Sequence, residues 1–177
     1  MTPKAFADGM TLLGDIWPRE LSDAARAVYS QTCGPLADDV WAAAIRRCAA
    51  TCRFYPVPAE ILSAAADVAS ERAGIAPAGD AWEAVLAVAR RWHPGQTIRA
   101  QLDPLAIDAV RAVGGMERIA GAEDAGLARL GRDFRDAYGR LARPHINAAL
   151  CGALDVPPLA TAAIEAPGAS LVRVERP

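Results

Sequence analysis

The sequence predicts an all-α protein, a small helical bundle divisible into two packed helical subdomains with a poorly ordered C-terminal tail. Three observations predict it. Apolar residues recur three and four positions apart through most of the chain, as one face of a helix requires. Strand-like alternation is nearly absent before the last few residues. Proline and glycine fall at the ends of the periodic runs, where helices start and stop.

The elements follow in order. Phe6, Met10, Leu13 and Trp17 mark a first helix that Pro18 stops. Ser22 and Asp23 suit the start of a second, whose run Leu21, Ala25, Val28 and Thr32 is read as its inner face, with Arg26 outside and Gly34-Pro35 at its end. A third runs from about Leu36 to Arg53, with Val40, Trp41, Ala44, Ile45, Cys48 and Cys52 on one face. Phe54-Tyr55-Pro56-Val57-Pro58 breaks it. Pro58 suits a first helical position and Glu60 complements the positive end of a fourth helix, which buries Ile61, Leu62, Ala65, Val68 and Ala69.

The charge-free stretch Gly74-Ile75-Ala76-Pro77-Ala78-Gly79 is the best candidate linker, placing one helical domain at 1–74 and a second segment at 80–154. In the second, Trp82, Val85, Leu86, Ala89 and Trp92 share a face, and a loop follows from His93 to Leu102. Asp103-Pro104 opens a helix that Gly114-Gly115 ends. Met116 to Gly121 is a short turn, and Leu127, Leu130, Phe134, Ala137, Tyr138 and Leu141 form a last long stripe, closed at Pro144. Residues 155–177 hold Pro157-Pro158 and Pro167-Gly168 without sustained period and are expected as a flexible tail, with a brief alternation at Leu171 to Val174.

A chain of 177 residues, 53% hydrophobic, has ample material for a core. Its formal net charge of -2 excludes a globally basic surface, so any nucleic-acid contact is local. The start lacks the pattern of a signal peptide, and no stretch approaches the roughly 20 apolar residues that span a bilayer. A cytoplasmic protein without membrane contact is expected, with Cys33, Cys48, Cys52 and Cys151 as free thiols.

Chemistry is constrained by what is scarce. Lys4 is the only lysine, so a phosphate-binding loop with its lysine on the nucleotide, and a Schiff-base lysine within the fold, are both excluded. The histidines are His93 and His145, and neither a zinc-protease helix nor a nucleophile elbow occurs. Cys48 and Cys52 share a helix face, but that face also carries Val40, Trp41 and Ile45, and structural zinc needs four ligands, so they read as small core residues. His93 reads as a helix-end or solvated residue, and Gly114-Gly115 as a helix terminator rather than a dinucleotide turn. The expectation is a non-enzyme with no cofactor and no metal.

Arginine supplies the candidate binding groups. Arg129, Arg132, Arg135, Arg140 and Arg143 are interleaved with Glu123, Asp124, Asp133 and Asp136 and read as a solvated helix face. Arg46, Arg47 and Arg53, and separately Arg90, Arg91 and Arg99, have fewer acidic neighbours in sequence and are the candidates for contacting phosphate or an acidic protein surface.

One longer pattern is more specific. Phe6 and Leu13, Tyr29, Leu36, Trp41 to Ala44, and then Phe54-Tyr55-Pro56-Val57-Pro58-Ala59-Glu60-Ile61 fall in successive helices and in the junction between the third and fourth. Over about residues 6 to 73 this resembles the N-terminal domain of the phage replicative-helicase loader and inhibitor family, the aromatic-proline-x-x-x-Glu-Ile junction being the most telling element. The resemblance implies a small helical adaptor that binds a hexameric replicative helicase, holds it inactive and helps deliver it to an origin, with an origin-binding protein or DNA as further partners. The second segment is similar to C-terminal parts of related phage and prophage proteins; a folded second segment departs from the family's simplest pattern. Two other readings stay open: a helical DNA-binding replication or regulatory protein using Arg46, Arg47 and Arg53, and a phage structural or assembly adaptor.

Overall fold

The computed structural model describes residues 1–152, which form eight helices and no strand, an all-α architecture as the periodicity predicts. In chain order they are α1 (Pro3–Ile16), α2 (Asp23–Cys33), α3 (Asp38–Thr51), α4 (Pro58–Arg72), α5 (Ala78–Ala89), α6 (Pro104–Ala112), α7 (Met116–Ala120) and α8 (Asp124–Leu150). The expected tail from residue 155, including the alternation at 171–174, lies outside the described residues. No described helix is long and apolar enough to cross a membrane.

The helix starts follow local chemistry. Thr2, Ser22 and Asp103 each accept a hydrogen bond from a backbone N–H three residues on, at Ala5, Ala25 and Ala106. At α4 the capping residue, Val57, has no side-chain acceptor, and Glu60 instead reaches back to its N–H at 2.8 Å. Both oxygens of Asp38 hold Thr2, at 2.6 Å to its N–H and 2.6 Å to its hydroxyl, which ties the start of α1 to the start of α3.

The core falls into two clusters. One gathers Leu13, Tyr29, Cys33, Leu36, Val40, Trp41, Ala44, Ile45, Cys48 and Ile61 from α1 to α4. The other gathers Ile75, Trp82, Val85, Leu105, Val110, Met116, Ile119, Leu130, Phe134 and Tyr138 from α5 to α8. In each, a tryptophan is seated on a glycine of a neighbouring helix. A Cβ on Gly9 would fall within 2.7 Å of Trp41 Cε2, and one on Gly131 within 2.9 Å of Trp82 Nε1. Only a bare backbone admits these rings so closely.

Helix α8 joins the two clusters. Its 27 residues span about 40 Å at about 1.5 Å each. It packs along α4 and α6, carries Phe134 and Tyr138 in the second cluster, and ends with Leu150 against the first. There the Leu150 carbonyl accepts the Ala37 N–H at 2.8 Å.

Four sequence readings need correction. Helix α8 continues through Pro144, which the chain was expected to end at. The lost backbone bond falls on an exposed face, where water can satisfy the freed carbonyl, and the following turns bury Ala149 and seat Leu150. The presumed linker at 74–79 is shorter and ordered, since Ala78 and Gly79 already open α5. Ile75 and Gly74 donate to the carbonyls of Ser70 and Glu71, Gly74 takes a left-handed φ of 67°, and Ile75 is buried in the second cluster. In α2 the inner face is Tyr29 and Cys33, whereas Val28 and Thr32 are exposed, because Tyr29 offers more apolar area and a hydroxyl with a partner. On α8, Leu141 is exposed rather than inward.

Burial has a consequence for alkaline stability. It pushes the Cys33 thiol from 9.0 up to about 11, and burial, with Cys52 alongside, pushes Cys48 up to about 12. Between pH 9 and 11 the unfolded chain has lost these protons and the folded chain retains them, so this contribution is whole below pH 9 and is lost as pH rises. The urea midpoint is expected to fall between about pH 8.5 and about pH 10.5, from just below the ordinary thiol pKa to just below that of folded Cys33, and less steeply in a Cys33→Val variant. A midpoint that stays level over that window would contradict it.

Candidate functional site

The predicted arginines do not converge. Arg46 is exposed and lines a groove between α1 and α3 with Asp8, Leu12 and Trp41. Arg47 is half-buried on another flank of α3, where its Nη2 pairs with Glu71 of α4 at 2.5 Å. Beside it Arg72 of α4 pairs with Asp39 of α3 at 2.5 Å. Arg47 is thus compensated, contrary to its sequence reading, because folding places α4 alongside. Arg53 lies beyond the end of α3, its guanidinium 5.7 Å over the ring of Phe54. Arg90 and Arg91 are exposed just after α5 and Arg99 is exposed in the loop that follows. Among the described residues Arg46, Arg53, Arg90, Arg91 and Arg99 make no ion pair.

The most developed surface feature is a corner built where the α3–α4 junction crosses the ends of α1 and α2. The run between Cys52 and Val57 leaves the helix, bending at Arg53 and Phe54, because Pro56 and Pro58 forbid a continuous helix. Tyr29 of α2 donates its hydroxyl to the Pro56 carbonyl at 2.9 Å, pinning the junction from beneath. Tyr55 packs edge-on against Tyr29 at 6.1 Å and against Trp17 at 6.2 Å between ring centres. Burial raises the pKa of both tyrosines; Arg26 and Arg19 act against the rise at Tyr55, and at Tyr29 Arg19 acts against it while Glu60 adds to it.

On this fixed base the next side chains point outward. Phe54 is 74% exposed and Val57 52% exposed. Val28 of α2 and Leu12 and Ile16 of α1 are exposed too, so five of the six large apolar side chains exposed among the described residues belong to the first bundle. Leu12 belongs to the Arg46 groove, whereas Phe54 and Val57 stand three residues apart on one pinned junction, and it is this pairing that suits an interaction surface. Chemically, such a surface offers apolar area beside charges of both signs, Arg19, Arg26 and Glu60, which suits binding.

The remaining candidates have structural surroundings. Cys48 lies 1% exposed, its thiol directed at the Glu60 carbonyl at 4.0 Å, among the core residues that share its helix face. No group of three metal-ligating side chains occurs among the described residues. The His93 N–H meets Gln96 Oε1 at 3.3 Å, within the loop that the sequence indicated. Gly114-Gly115 ends α6, their N–H groups meeting the carbonyls of Arg111 and Val110.

Sequence reasoning singled out Phe54 and Val57 as part of a helix-breaking run and of a resemblance, not as exposed groups, and missed Val28, Leu12 and Ile16 as surface groups. A usable signal existed at Phe54: between a helix end and two prolines it has no helical phase to carry it inward. Compared with protein-family models, curated proteins and solved structures, the chain matches none.

Proposed function

We propose that this protein is a stoichiometric adaptor of phage or prophage DNA replication that binds a hexameric replicative helicase, and loads or regulates it without ATPase activity of its own. The observation that carries the reading is the junction Phe54–Val57. The segment on which the resemblance to helicase loaders and inhibitors rests most heavily also holds the most exposed large apolar side chain described, Phe54. A pinned backbone beneath two free apolar side chains is pre-organised for docking, which limits the ordering cost of association. An adaptor of this kind shifts its partner only by binding one state better than another.

A direct DNA contact through Arg46, Arg47 and Arg53 has weaker support. Arg47 is engaged by Glu71 and the three do not share one face. A structural or assembly adaptor would use the same apolar corner and differs only in partner.

The test is size-exclusion chromatography of the protein with hexameric replicative helicases of candidate hosts, with and without nucleotide. Co-elution as a defined complex is expected. Separate elution under every nucleotide condition, with binding to DNA at low salt instead, would transfer the function to the arginines.

A further inference from the structure

A cleft of about 510 Å³ lies between the α3–α4 pair and α8, away from the Phe54 corner. Its walls combine apolar Ile75 and Ile146 with Arg47, Asp67 and Glu71. Two carboxylates face one guanidinium there, so the cleft has an acidic excess. One donor is also unspent: Arg47 Nη1 is buried and has no hydrogen-bond partner among the described residues. A buried guanidinium N–H left unpaired is costly, and it marks a place where an acceptor belongs.

We infer that this cleft is the docking site for the chain's own segment 171–176, Leu-Val-Arg-Val-Glu-Arg. As an extended strand the segment sets Leu171, Arg173 and Glu175 on one side: an apolar group for Ile75 and Ile146, a cation for Asp67 and an anion for Arg47 Nη1, with Arg176 adding positive charge at its end. An extended strand has free carbonyls along both edges, which suits an orphan donor.

The connection allows it. Ile146 is itself on the cleft wall, and the described chain ends at Gly152, within about 9 Å along the helix at about 1.5 Å per residue. From 153 to 170 the chain reaches roughly 60 Å when extended, at about 3.3–3.6 Å per residue, so 171–176 reaches the cleft without strain. Tethering gives an effective concentration on the order of millimolar, so a weak contact suffices.

Hydrogen exchange followed by mass spectrometry on the full chain tests this without any helicase, so its failure leaves the adaptor reading standing. Amides of 171–176 are expected to exchange about tenfold more slowly than in a free peptide of the same sequence, at a level independent of protein concentration. The double variant Arg173→Glu/Arg176→Glu should abolish the protection, and adding Asp67→Arg, at an exposed position, should restore part of it. Free-peptide exchange rates in the unmodified chain would overturn the inference. So would protection that rises with concentration, which would assign the contact to a second copy, or protection that survives the double charge reversal.

Discussion

Replacing Trp41 with alanine is expected to lower the free energy of unfolding by about 3–5 kcal/mol, the usual cost of emptying a large aromatic site in a core. Trp41 is fully buried, donates Nε1–H to the Ala5 carbonyl at 2.9 Å and stacks on Phe6 at 5.7 Å. The bare backbone of Gly9 cannot swing a side chain into the cavity, so the site cannot collapse. Against a total stability of about 5–15 kcal/mol, that loss is visible in a urea titration as a large drop in midpoint. Gly9→Ala tests the same contact from the other side and should cost about 1–3 kcal/mol through overpacking. If both variants unfold within the error of the parent, the Trp41–Gly9 seat does not hold α1 on α3.

The second large effect concerns binding. Phe54→Ser is expected to weaken the proposed complex with a hexameric replicative helicase by about 2 kcal/mol, roughly 30-fold in Kd, as truncation of an exposed aromatic anchor does. Its own stability should stay within about 0.5 kcal/mol of the parent, since the side chain packs little within the fold. Val57→Ser should act in the same direction. Leu141→Ser is the matched control, an exposed apolar residue of α8 rather than of the corner. Isothermal titration calorimetry separates the cases: equal affinities for the Phe54 variant and the parent, or an equal loss with Leu141→Ser, would remove the corner as the docking site.

Much of this architecture was readable from local pattern. Ser22 and Asp103 cap helices because a short side chain with an acceptor can reach the N–H three residues on, a fact of local geometry. Gly114-Gly115 ends α6 for an equally local reason, a φ of 106° at Gly114. Pro144 shows where such reasoning stops. A proline is a local penalty of about 3 kcal/mol, and against it stand the contacts beyond it: Ile146 on the second cluster, Ala149 buried, Leu150 on the first, and the Leu150 carbonyl holding the Ala37 N–H. Likewise 74–79 has the composition of a linker, but Ile75 finds a core to enter.

The candidate site was less legible. Arg46 and Arg47 are adjacent in sequence, yet one faces α1 and the other Glu71, a partner 24 residues away. Local charge counting cannot see that partner, because ion pairing depends on which helices become neighbours. Val28 and Tyr29 are also adjacent and both apolar. The hydrogen bond from Tyr29 to Pro56 chooses which of them turns inward, and that bond exists only once α2 and the α3–α4 junction have met.

By itself, then, the sequence determined the all-helical class, most helix starts and ends, the Trp41 and Phe134 stripes and the exclusion of lysine-dependent phosphate chemistry. These depend on periods of a few residues and on which residue types are present. Only the tertiary structure decided that α8 runs on past Pro144 to tie two cores together, that Arg47 is paired, and that Phe54 and Val57 stand free on a pinned junction. Those outcomes turn on contacts between residues far apart in the chain, where packing energy outweighs local preference.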